Sequence, residues 1–138
     1  MPRNTVYLEA PEQTQDLLTI KWTLRSAGYT IASTWHDSQA NRSHWGYAHQ
    51  RVASALKLLR SCDSLVVVSG KTGPPMPELA MMAAFALDRG LQVIWVGNAI
   101  DLLHHFSAVE HFPDAEQFRR AIVDRMYAQT AIAERLAA

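Results

Sequence analysis

The segment Ser64–Ser69 contains Leu65-Val66-Val67-Val68, an unbroken apolar run in a chain of otherwise ordinary polarity. A strand of that composition cannot turn either face to water. It must be covered on both sides, which points to a central strand of a parallel sheet. Leu91–Val96 makes the same demand, and Thr5–Leu8 is a shorter apolar run ahead of Pro11. Tyr29–Trp35, rich in β-branched and aromatic residues, and the short Ala108–Phe112 complete five candidate strands.

Helical spacing fills the intervals. Leu17, Ile20, Leu24 and Ala27 share a face within Pro11–Ala27, and Val52, Ala55, Leu56 and Leu59 share one within His44–Ser61. Leu79, Met82, Ala83 and Ala86 line Glu78–Arg89, with Gly90 as a C-terminal stop. Asp114 caps a final helix over Asp114–Leu136, with Glu116 and Gln117 in its first turn. Strands alternating with helices predict an α/β fold, an open parallel sheet of five strands with helices on both faces.

The chain's 138 residues suit one domain spanning 1–138. Thirteen basic and thirteen acidic residues cancel, which argues against a duplex nucleic-acid binder. The single cysteine, Cys62, excludes an internal disulfide. No apolar signal core opens the chain and no run of about 18 apolar residues occurs. A cytoplasmic protein with no membrane partner is the expectation.

In open parallel sheets ligands sit beyond the carboxyl ends of the strands. Here that selects the loops Glu9–Gln13, Trp35–Trp45 and Gly70–Glu78. The third, Gly70-Lys71-Thr72-Gly73-Pro74-Pro75-Met76-Pro77-Glu78, leaves a buried strand and enters a helix. Free N–H groups and a partial positive charge at the helix start suit a phosphate or carboxylate. Lys71 and Thr72 add a cation and a hydroxyl, with Gly70 and Gly73 permitting close approach. The spacing is not that of a P-loop. Glu78 in the first turn suits a carboxylate nucleophile, yet an acid there is also favoured for helix stability alone.

Tyr7 and Glu9 end the first strand, Tyr7 either presenting its hydroxyl to a ligand or packing in the core, and Glu9 at the pocket mouth. Trp35, Trp45 and Tyr47 surround the second loop, where they either stack a planar base or simply pack. Histidines 36, 44, 49, 104, 105 and 111 lack metal-ligand spacing, and Cys62 reads as a small buried residue. With neither a GxSxG elbow nor a GxGxxG fingerprint, no metal and no cofactor are expected. On the last helix Phe118, Ile122, Met126 and Tyr127 form a stripe extended by Ile132 and Leu136. It either covers the sheet or meets a partner.

Val6-Tyr7-Leu8, Cys62-Asp63 leading into Leu65–Val68, Pro77-Glu78-Leu79-Ala80 and Val93-Ile94-Trp95-Val96-Gly97 follow one another in an order and spacing similar to the nucleoside 2-deoxyribosyltransferase-like superfamily. That superfamily includes the 2'-deoxynucleoside 5'-phosphate N-hydrolases. Leu103-His104-His105-Phe106 and Val109-Glu110-His111-Phe112 resemble its small bacterial and phage-type members. The resemblance implies a flavodoxin-like sandwich, a homo-oligomer, and cleavage or transfer at the N-glycosidic bond of a nucleoside or nucleotide. By it Glu78 is the nucleophile of a double displacement, Tyr7 orients the carboxylate or the sugar, and Gly70 and Thr72 face the sugar or its phosphate.

Three positions depart from that pattern. Ala55 stands where an aspartate usually contacts the sugar, Ala80 replaces a glycine, and Glu9 replaces a small residue. Losing a positioned acid or base typically costs about 10²- to 10⁴-fold in rate. A nucleotide-binding module or sensor without turnover is therefore the alternative expectation.

Overall fold

The computed structural model describes residues 4–10, 14–33, 48–70, 77–98 and 106–137, with the backbone alone for 48–52. The elements in order are β1 (Thr5–Glu9), α1 (Gln15–Ser26), β2 (Thr30–Ile31), α2 (Ala48–Leu59), β3 (Ser64–Val68), α3 (Pro77–Asp88), β4 (Gln92–Val96), β5 (Val109–Phe112) and α4 (Ala115–Ala137). The strands form one sheet in the order β2-β1-β3-β4-β5, with every pairing parallel. This is the flavodoxin-like arrangement, with β3 and β4 among its inner strands, as their apolarity demanded.

Strand alternation sorts the core into two layers. Val6, Leu8, Val66, Val68, Ile94 and Val96 pack with Leu17, Ile20 and Leu24 of α1 and Phe118 and Ile122 of α4. Tyr7, Leu65, Val67, Val93 and Trp95 pack on the other face with Leu59 of α2 and Leu79, Met82, Ala83 and Ala86 of α3. The Leu65–Val68 run is continuous because successive residues serve opposite layers.

Local rules explain the element boundaries. Helix α1 begins at Gln15, later than the Pro11 start expected, because the Thr14 hydroxyl caps it and accepts from Leu17 N–H at 3.2 Å. Residues 11–13 lie outside the described residues. Pro77 opens α3, where a missing N–H costs nothing. Asp114 Oδ1 accepts from Gln117 N–H at 2.8 Å and caps α4 as expected. Asp63 clamps the start of β1 to the start of β3. Its carboxylate accepts from Thr5 N–H at 2.9 Å while its own N–H donates to Thr5 O. Cys62 is buried, and that burial pushes its thiol pKa up.

One element differs from expectation. Strand β2 spans only Thr30–Ile31 of the expected Tyr29–Trp35. Beyond Ile31 the Ala32 N–H still bonds Val6 O, and then the Ser33 side chain replaces backbone pairing. Its hydroxyl accepts from Leu8 N–H and donates to Leu8 O, each at 2.9 Å.

Helix α4 forms where expected. Its 23 residues make about 34 Å of helix, whereas a five-residue strand such as β4 covers about 17 Å. Only Ala115, Phe118 and Ile122 are buried. The helix covers the sheet with its first half, and every residue from Asp124 to Ala137 is exposed.

Candidate functional site

Sequence neighbours β1 and β2 pair on one side of the sheet, while β3 crosses to the other side of β1. The crevice between the carboxyl ends of β1 and β3 is therefore the topological switch point, where such folds bind ligands. Glu9 ends β1 there, opposite Val67 of β3, with Ala10 following it, and Ser69 and Gly70 follow the end of β3.

Glu9 lies two residues beyond Tyr7, so both belong to the side of β1 that faces α2 and α3. Tyr7 is 3% exposed and packs in the same cluster as Leu79. Leu79 immediately follows Glu78, so the first turn of α3 rests on the layer to which Tyr7 belongs. Glu9 is 6% exposed, an unusual position for a carboxylate. Glu78 occupies the first turn of α3 and is exposed. Gly70 is exposed, and its carbonyl accepts from Asn98 N–H at 3.1 Å. Trp35, Lys71, Thr72 and Gly73, with Trp45 and Tyr47, lie outside the described residues.

On the other side of β3 from that crevice, the carboxyl ends of β3, β4 and β5 are joined by residues to which the sequence assigned no role. Trp95, fully buried, donates its indole N–H toward Asn98 O at 2.6 Å and Ser69 Oγ at 3.1 Å. Ser69 Oγ in turn donates to Asn98 O at 2.5 Å, and Ser69 N–H bonds Val96 O. Gly97 sits at φ +105°, and a Cβ built there would lie 2.4 Å from Ser69 O. Its N–H bonds Phe112 O, and its carbonyl meets His111 Nε2 at 2.6 Å. The ends of β3, β4 and β5 are thus tied to one another by hydrogen bonds. The Gly97-Asn98 pair after a buried strand was the sequence signal for this turn, while the Ser69–Trp95 bond spans 26 residues and had none.

The departures from the family pattern are also placed. Ala55 is half-buried on α2 against the cluster that holds Tyr7. Ala80 is half-buried on α3. Among the described residues no group of three or more His, Cys, Asp or Glu is arranged to hold a metal. None of the described helices is long and apolar enough to cross a membrane.

No protein-family model matches the chain, and no curated protein does. Fourteen chains of solved structures match it in fold. One is the Clostridium botulinum CMP N-glycosidase BcmB, which aligns over 86% of this chain and 97% of its own at a TM-score of 0.56 and 14% identity. That similarity is one of fold.

Proposed function

We propose that this chain acts at the N-glycosidic bond of a small nucleoside or nucleotide. The observation that carries the reading is the switch point. The 2-1-3-4-5 sheet sets a buried carboxylate, Glu9, beside the layer of Tyr7 and sets Glu78 at the head of the helix leaving β3. The fold is shared with an enzyme described as a CMP N-glycosidase, and the residue order resembles the nucleoside 2-deoxyribosyltransferase-like superfamily.

In the proposed reaction the Glu78 carboxylate attacks the anomeric carbon. The C–N bond breaks with its electron pair leaving on the base, which takes a proton. Glu9, the second carboxyl group of the site, supplies that proton from its protonated form, and its carboxylate takes a proton back from the incoming acceptor in the second step. Water or a second base then displaces Glu78 from the glycosyl-enzyme. Tyr7 orients the Glu78 carboxylate or the sugar. Gly70, Lys71, Thr72 and Gly73 contact the sugar or its phosphate, and Trp35 stacks on the base.

The test is free base released from a panel of nucleosides, deoxynucleosides and their monophosphates, measured by chromatography. Glu78→Gln is expected to lower release by about 10³-fold or more, as loss of a nucleophile requires, with an unchanged melting temperature. Full release by Glu78→Gln would refute the assigned nucleophile.

A second reading is a nucleotide-binding module without turnover. It is favoured by Ala55, a half-buried methyl group beside the Tyr7 layer where the related pattern has an acid. Calorimetric binding of a monophosphate without base release would select it.

A further inference from the structure

The chain leaving β3 departs from the regular strand ladder at one point. Ser69 N–H donates to Val96 O at 2.8 Å, an ordinary parallel rung between β3 and β4. The next rung of such a ladder would run from Asn98 N–H to Ser69 O. Instead Asn98 N–H reaches one residue further, to Gly70 O at 3.1 Å. The β3 side thus spends one extra residue, as a bulge does, and a step of that kind re-aims the chain beyond it. Gly97 leaves room for the step, since a Cβ there would lie 2.4 Å from Ser69 O.

The peptide that makes this reach is itself held from behind. Asn98 O accepts from Ser69 Oγ at 2.5 Å and from Trp95 Nε1 at 2.6 Å, which fills both of its lone pairs. Trp95 is fully buried, so its N–H has no water to turn to. A wholly apolar ring would satisfy packing alone, whereas a buried indole brings a donor that must be placed. Here the donor falls on the peptide that holds Gly70. The ring lies in the buried layer that also contains Leu79 and Ala83 of α3, and Leu79 immediately follows Glu78. One side chain therefore holds Gly70, through Asn98, and belongs to the layer on which the first turn of α3 rests.

We propose that Trp95 is a positioning residue: it fixes both ends of the segment joining β3 to α3, and thereby sets where Glu78 stands relative to a substrate held at Gly70. The consequence for rate rests on the proposed N-glycosidic reaction, while the anchorage of Gly70 does not. A displacement of about 1 Å at a reacting group is worth about 10²-fold in rate. Loss of the indole donor leaves every group of the site in place and disturbs only their alignment with the reacting carbon. The cost therefore falls on kcat rather than on KM.

The experiment compares Trp95→Phe, which keeps a ring in the layer and removes the donor, with Phe118→Leu, which opens a void in the opposite layer. Both full-length variants are assayed well below their melting temperatures, with ribonucleoside and 2'-deoxyribonucleoside monophosphates as substrates. Trp95→Phe should lower kcat about 10²-fold and move KM by less than about threefold. Phe118→Leu should keep the wild-type kcat. Amide hydrogen exchange at Asn98, followed by NMR, reads the anchorage with no substrate present. It should quicken about fivefold or more in Trp95→Phe relative to Phe118→Leu. A wild-type kcat in Trp95→Phe, an equal loss of kcat in Phe118→Leu, or unchanged exchange at Asn98 would each overturn the proposal. If wild type releases no base, the N-glycosidic reading falls by itself, and exchange at Asn98 still decides whether Trp95 anchors Gly70. Should Trp95→Phe fail to fold, Ser69→Ala, which removes the other donor to Asn98 O, is read in the same way.

Discussion

Gly97→Ala probes the joined ends of β3 and β4 directly. At φ +105° an L residue is strained, which costs about 1–2 kcal/mol for ordinary side chains. The added methyl would also lie 2.4 Å from Ser69 O and 2.9 Å from Ser69 Oγ. The first of these is backbone, so no side-chain rotation relieves the clash, and the ends of β3 and β4 must separate. Separation loosens the Ser69–Asn98 and Trp95–Ser69 hydrogen bonds, each contributing about 1 kcal/mol. A loss of about 3 kcal/mol follows, and with an unfolding entropy of about 0.29 kcal/mol/K for 138 residues this is about 10 °C in melting temperature.

Gly90→Ala supplies the control. Gly90 also has a positive φ, +75°, but a Cβ there meets nothing within 4 Å. It should lose only the backbone part, about 1 kcal/mol or 3–4 °C. Differential scanning calorimetry of the two variants separates strain from steric overlap. If both lose the same melting temperature to within about 2 °C, the packing of Gly97 on Ser69 is not what the geometry says.

Two further predictions concern Trp95 and Glu116. Trp95→Phe removes the indole donor to Asn98 O and Ser69 Oγ and leaves a small void. Urea unfolding should show a loss of about 2–4 kcal/mol, and a loss under about 1 kcal/mol would mean that the network is not held by Trp95. On α4, hydrogen bonds from Arg119 above all hold the Glu116 carboxyl pKa down at about 2. A depressed folded-state pKa contributes stability above the unfolded value, and that contribution is lost as pH falls from about 4.5 through about 2. The group is fully exposed, so the effect should fade in high salt. A carbon-detected NMR titration that finds Glu116 at an ordinary carboxylate pKa in low salt would contradict the ion pair.

The fold was largely legible because its determinants are local or periodic. Leu65–Val68 had to be covered on both sides whatever its partners, and Thr14, Pro77 and Asp114 set helix starts through contacts within three residues or through their own geometry. The length of α4 was legible too, from its apolar spacing. Its fate was not: one amphipathic pattern suits a helix on a sheet and a helix on a partner, and only the folded structure shows that its packing on the core ends at Ile122.

The candidate site divides the same way. Its position at the ends of β1 and β3 and the first-turn location of Glu78 follow from element order, which the sequence carries. Tertiary structure alone decided that Glu9 is buried, that Asp63 serves Thr5, that Ser33 finishes the pairing of β2, and that Ser69, Trp95 and Gly97 close on one another. Each of these joins residues at least 25 positions apart, or depends on how a strand end is packed. Side-chain chemistry and periodicity register a residue's near neighbours, whereas these contacts exist only once the parallel strands have been laid side by side.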